Sequence, residues 1–172
     1  KYEDSNHVVE SIKWCKSCSA GKWSAQEGLS AGHQCTGCSA GKYSVAGTGQ
    51  TSIQVCDQLC SAGKWSSETG LISNDQCTDC GAGKWSSGTG QVSERVACNK
   101  LCPAGRWSNT TGLTLGHQCQ LCPAGRSSNT PGLASAAACT PCAKGTYSSL
   151  SGAQQCQPCH AGMFADMEGS SS

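Results

Sequence analysis

The residues able to do chemistry in this chain are its sixteen cysteines. They fall in pairs, Cys15/Cys18, Cys35/Cys38, Cys56/Cys60, Cys77/Cys80, Cys98/Cys102, Cys119/Cys122, Cys139/Cys142 and Cys156/Cys159. Most pairs are C-x2-C, and the third and fifth are C-x3-C. Gaps between pairs run at 16 or 17 residues and shorten to 13 at the last. Thiols at this spacing have two uses. Four foursomes, 15/18/35/38, 56/60/77/80, 98/102/119/122 and 139/142/156/159, have the reach of tetrahedral zinc sites. The alternative is oxidation to disulfides, which persist in extracellular and secretory compartments. An even count at regular spacing, with C-x3-C recurring in register, favours disulfides, an oxidising compartment and neither metal nor cofactor.

Two connectivities fit the pattern. Joining first to third and second to fourth within each foursome gives Cys15–Cys35, Cys18–Cys38, Cys56–Cys77, Cys60–Cys80, Cys98–Cys119, Cys102–Cys122, Cys139–Cys156 and Cys142–Cys159. It uses every cysteine and is the preferred expectation. A ladder joining Cys18–Cys35, Cys38–Cys56 and so on treats all repeats alike but strands Cys15 and Cys159. In either, each bridge closes a loop whose entropy stabilises the fold by about 3 kcal/mol in the chain-entropy model.

The elements that must position these sulfurs are set by a recurring phrase. Cys60-Ser61-Ala62-Gly63-Lys64-Trp65-Ser66 has counterparts starting at Cys18, Cys38, Cys80, Cys102, Cys122, Cys142 and Cys159. The glycine three after the cysteine predicts a positive-φ turn. The basic–aromatic–serine run predicts a short strand. Clusters such as Ser67-Glu68-Thr69-Gly70 predict the hairpin turn. A large apolar core is excluded: the 37% hydrophobic content includes the cysteines, with three isoleucines and one phenylalanine. The expected fold is therefore small, disulfide-rich and β: an elongated rod of tandem short hairpins with little helix.

Cys18, Cys60 and Cys102 lie 42 residues apart, and Gly-Leu turns at 28, 70 and 112 alternate with Gly-Gln turns at 49 and 90. The expected organisation is an N-terminal lead or cap (1–14), double repeats at 15–55, 56–97, 98–138 and a shortened 139–164, and a linker-like tail (165–172). No leader peptide and no apolar run long enough for a membrane span is visible. The net charge of +1 gives no global field for nucleic acid.

Once per repeat an aromatic recurs: Trp23, Tyr43, Trp65, Trp85, Trp107, Tyr147 and Phe164. Such a stripe packs over neighbouring disulfides as a miniature core, or lies exposed to stack on sugars or a partner. The basic ladder Lys22, Lys42, Lys64, Lys84, Arg106 and Arg126 reads as a solvated face, diluted by Glu27, Glu68, Asp79 and Glu94. Asn109-Thr110-Thr111 is an N-glycosylation sequon at an expected turn tip. Catalytic matches fail. Gly28-Leu29-Ser30-Ala31-Gly32 before His33 fits a nucleophile elbow, but no α/β sheet is available to hold it. The Gly-Lys repeats lack the remainder of a phosphate loop. His7, His33, His117 and His160 are scattered. No enzyme is expected.

The phrase C-x-A-G-[KR]-[WY]-S, a glycine turn and a further C-x2-C resemble the ephrin type A/B receptor-like cysteine-rich repeat, from about Cys15 to Phe164. They are also similar to the first half of tumour-necrosis-factor-receptor-type modules. The resemblance implies the kind of tandem array found in long extracellular proteins of algae and other protists, some of surface fibres. The function expected is a structural rod that forms or extends a surface filament or matrix. Its partners would be copies of itself, other matrix proteins or glycans, with a receptor ectodomain as the alternative.

Overall fold

The structure, a computed structural model, describes residues 15–171. The expected N-terminal lead, 1–14, lies outside them. Repeats 1 to 8 are numbered here from Cys18, Cys38, Cys60, Cys80, Cys102, Cys122, Cys142 and Cys159.

Each repeat begins with a tight turn. In repeat 1 the Lys22 amide donates to the Ser19 carbonyl at 3.1 Å, and Gly21 sits third in the turn at φ 75°. A third residue with positive φ needs glycine, which is why the phrase keeps it. Two residues of strand follow, Lys22–Trp23, pairing antiparallel with Thr36–Gly37 in the register Lys22↔Gly37 and Trp23↔Thr36. Seven two-stranded hairpins of this kind occur among the described residues. Between the strands, repeats 1, 2, 3, 5 and 6 carry a single 3₁₀ turn before the second cysteine, such as Gly32–Gln34. Repeat 4 has a four-residue α-helix there, Glu94–Ala97. The fold is a small disulfide-rich β array with little helix.

The bridges differ from the preferred expectation. The structure forms Cys18–Cys35, Cys38–Cys56, Cys60–Cys77, Cys80–Cys98, Cys102–Cys119, Cys122–Cys139 and Cys142–Cys156. It forms none of Cys15–Cys35, Cys18–Cys38, Cys56–Cys77, Cys60–Cys80, Cys98–Cys119, Cys102–Cys122, Cys139–Cys156 or Cys142–Cys159, and Cys15 and Cys159 remain free. The hairpin is the reason. From Cys35/Cys38 on, the dipeptide inside each C-x2-C is the repeat's second strand, so the two cysteines stand at opposite ends of that strand. Closing the hairpin brings a repeat's own two cysteines together, at Cα separations of 5.3 to 5.9 Å. Each bridge therefore closes one single repeat and none joins the halves of a 42-residue unit.

The C-x3-C pairs leave the register intact. Lys42 pairs with Leu59 and Lys84 with Leu101, in each case the residue just before the next cysteine, as Gly37 is in repeat 1. The extra residue is absorbed at the preceding cysteine. Cys56 and Cys98 take ψ of 48° and 41°, where Cys35 has 131°. The local bend acts as a one-residue bulge.

Candidate functional site: the seam between repeats

A continuous seam runs along the stack, built from the same positions in each repeat. The residue after the aromatic donates its amide to the next repeat: Ser44 to Leu71 O (3.0 Å), Ser66 to Gln91 O (3.0 Å) and Ser86 to Leu113 O (2.9 Å). The turn glycine of that next repeat donates back to the first cysteine's carbonyl, Gly70 to Cys38 O and Gly112 to Cys80 O, both at 2.8 Å. The serine carbonyl in turn accepts from the preceding repeat, Gly83 to Ser108 O at 2.9 Å. A further glycine packs two repeats away: a Cβ on Gly21, Gly41, Gly63, Gly83, Gly105 or Gly125 would collide with the turn glycine carbonyl two repeats on. The array is thus wound so that repeat n touches both n+1 and n+2.

Ser44, Ser66, Ser86, Ser108, Ser128 and Ser148 are buried in this seam. Their hydroxyls have local work, as when Ser66 Oγ accepts from the Glu68 amide at 3.1 Å and Ser108 Oγ from the Thr110 amide at 3.0 Å. Sequence reading noted the recurring serine without assigning it a role. The glutamines before the second cysteine act similarly: Gln118 Oε1 accepts from the Thr114 and Leu115 amides at 2.8 and 2.9 Å.

The aromatics are half-buried in repeats 1 to 5. Tyr43 packs on Leu71 and the Cys60–Cys77 bridge, Trp65 on Ala97 and the Cys80–Cys98 bridge, and Trp85 on Leu113 and the Cys102–Cys119 bridge. Each of these three rings therefore covers the bridge of the following repeat. Trp85 and Trp107 donate their indole N–H to Leu101 O and Leu121 O at 3.1 and 3.2 Å, whereas the Trp23 and Trp65 Nε1 atoms are buried without a partner. In repeat 6 Ser127 stands in the ring's place, with its Oγ 3.3 Å from Cys156 Sγ and an open groove over that bridge. Tyr147 is half-buried, and Phe164 is 83% exposed.

The basic residues mostly serve their own repeats. Arg106 and Arg126 donate to the carbonyls of the second cysteines, Cys119 and Cys139, at 2.7 and 2.8 Å, and Lys64 pairs with Asp79 at 2.8 Å. Lys100 lies 4.5 Å over the Trp85 ring. Ser30, of the rejected elbow match, donates to Gln34 Oε1 in its own loop at 3.2 Å, and His33 is exposed. Fourteen cysteines being bridged, the zinc foursomes are not assembled, and among the described residues no cluster of metal-ligating side chains appears. Asn109 is exposed at its turn. The segment read as a tail docks on repeat 7, with Gly145 donating to Ala165 O (2.8 Å) and Gly169 to Cys142 O (2.7 Å).

A search of curated proteins finds no match to the chain. Residues 132–172 match the family model described as tyrosine-protein kinase ephrin type A/B receptor-like. That segment contains repeat 7, whose turn, hairpin and bridge are those of the six before it. Repeats of this kind are typical of extracellular domains, and no described helix is long and apolar enough to cross a membrane. The match is confined to residues 132–172, and the seven hairpins of the described residues share one plan, that of tandem disulfide-linked cysteine-rich repeats.

Proposed function

We propose that the chain is a non-enzymatic structural protein of the cell surface, a disulfide-stapled rod that forms or extends a filament or matrix. The observation that carries this reading is sameness. Turn glycine, aromatic, serine and both cysteines are taken up by the seam in repeat after repeat, whereas an enzyme requires one unrepeated, pre-organised site. A stack in which each repeat meets only its near neighbours supplies length and stiffness in proportion to repeat number. Its partners are further copies of itself or other matrix proteins, with glycans as a further class of ligand. Electron microscopy of the purified protein tests this: regular fibres support it, and isolated short particles at all concentrations contradict it. The second reading, an adhesion or ligand-binding ectodomain, draws on the receptor family that residues 132–172 match. Asn109, at an exposed turn, carries an N-glycan in this account. A mobility shift on enzymatic deglycosylation, absent in Asn109→Gln, is the expected result, and an unchanged mobility contradicts it.

A further inference from the structure

Repeat 6 has lost its ring but kept the frame that holds one. Its hairpin pairs Arg126 with Pro141 and Ser127 with Thr140, the register of Arg106 with Leu121 and Trp107 with Gln120 in repeat 5. The backbone joint to repeat 7 is also in place: the Ser128 amide donates to Ala153 O at 3.1 Å, Gly125 to Ser148 O at 2.8 Å and Gly152 to Cys122 O at 2.7 Å. What differs at this position is the side chain. Ser127 stands where Trp85 and Trp107 stand, a large-to-small truncation inside a frame that does not collapse. The position lies within the array, with described hairpins on both sides.

The truncation leaves a groove of about 440 Å³, the size of a small-ligand cleft, over the Cys142–Cys156 bridge. Its walls include Leu133, Pro141 and Cys156, and no side chain lining it carries a charge, so a charged ligand finds no partner there. Ala153 holds the place of Leu71 and Leu113, on which Tyr43 and Trp85 pack, and this leaves more room than in their seats. An acceptor for a ring donor remains. Trp85 and Trp107 give their indole N–H to the carbonyl of the residue just before the next repeat's cysteine, Leu101 at 3.1 Å and Leu121 at 3.2 Å. In repeat 6 that residue is Pro141, which pairs with Arg126 as Leu121 pairs with Arg106. The rim offers amide chemistry. Gln155 precedes its cysteine as Gln34 and Gln118 do, and those two close their loops by accepting backbone amides. The Cys142–Cys156 loop is shorter, at a separation of 14 residues against 17 in repeat 6. There Gln155 makes no such bond among the described residues and stands exposed at the groove.

We propose that this seat takes the indole ring of a tryptophan from a partner protein. The ring lies over the Cys142–Cys156 bridge as Trp85 lies over Cys102–Cys119. Its N–H donates to Pro141 O, and Gln155 bonds the peptide backbone beside it. The seat selects this occupant by its own chemistry: a flat apolar ring to cover the bridge, one donor for the carbonyl, no charge, and a rim glutamine that suits a polypeptide better than a free heterocycle. A tryptophan seated in a pocket is a common anchor of protein interfaces. The inference goes beyond the scaffold reading, since it holds for a rod and for an ectodomain alike, and it fixes where along the array a partner attaches.

The test titrates the full chain with the peptide N-acetyl-Gly-Trp-Gly-amide and follows backbone amides by NMR. Saturable shifts centred on Ser127, Thr140 and Cys156 are expected. The matching phenylalanine peptide, which lacks the N–H, binds about three- to tenfold more weakly, the worth of one hydrogen bond. The leucine peptide gives no saturable shift. Ser127→Trp fills the seat from within and abolishes binding. In the parent protein saturating tryptophan peptide slows the opening of Cys142–Cys156 by mild reductant severalfold, a readout that does not depend on the variant folding. Three results overturn the inference: no saturable shift at the groove, a leucine peptide that binds as well as the tryptophan peptide, or free indole that binds as tightly as the peptide, which assigns the seat to a small molecule. In each the bridges stay closed and the scaffold reading stands, because that reading is judged separately by fibre formation.

Discussion

Gly83 and Gly28 share one backbone conformation, at φ 74° and 71°, and differ in what surrounds them. A Cβ on Gly28 meets nothing within 4 Å, whereas one on Gly83 collides with the Gly132 carbonyl two repeats on. Both alanine variants carry the left-handed backbone penalty of about 1–2 kcal/mol. Gly83→Ala should cost about 1–3 kcal/mol more, because the stack must open to admit the methyl. Amide exchange in repeats 4 to 6 is the measurement: Gly83→Ala speeds it well beyond Gly28→Ala, and equal effects would refute the close approach. The positive φ of the phrase glycine was legible from C-x-A-G, since the turn demands it. The packing at n+2 was not, because it depends on how repeats wind, and no residue type announces that. The buried serines were equally hidden: Ser44 and Ser108 look like surface polar residues until the seam between repeats encloses them.

At the scale of the hairpin, a staple and a ring act together. Tyr43, Trp65 and Trp85 each shield the next repeat's bridge from solvent, and Ser127 leaves Cys142–Cys156 without that cover. Cys156 is half-buried, whereas Cys77, Cys98 and Cys119 under their rings are 3%, 4% and 2% exposed. Mild reductant should therefore open Cys142–Cys156 before Cys60–Cys77, Cys80–Cys98 and Cys102–Cys119, because exchange requires access to sulfur. Ser127→Trp fills the groove and should slow that step severalfold, read by timed alkylation and mass mapping; no change would show that the groove is not a ring seat. The hairpins were readable from turn and strand chemistry. Their bridges were read in the wrong pairing, because the 42-residue alternation suggested a double unit. That alternation has a smaller cause. It marks where an extra residue is bent out at Cys56 and Cys98 and where a glutamine such as Gln34 or Gln118 closes the loop.

The whole molecule is held together by repetition. With so few large apolar side chains, no single interior exists among the described residues, and three small clusters built on Cys60–Cys77, Cys80–Cys98 and Cys102–Cys119 stand where a domain would have a core. Loop closure of about 3 kcal/mol per bridge and the backbone seam replace it. The proposed scaffold role rests on each repeat closing on itself by its own bridge. Peptide mapping of the untreated, non-reduced protein tests this most directly. Each of the seven bridges should appear within one repeat, from Cys18–Cys35 through Cys142–Cys156. Peptides joining Cys18 to Cys38 or Cys60 to Cys80, or thiols free to alkylate throughout, would contradict it.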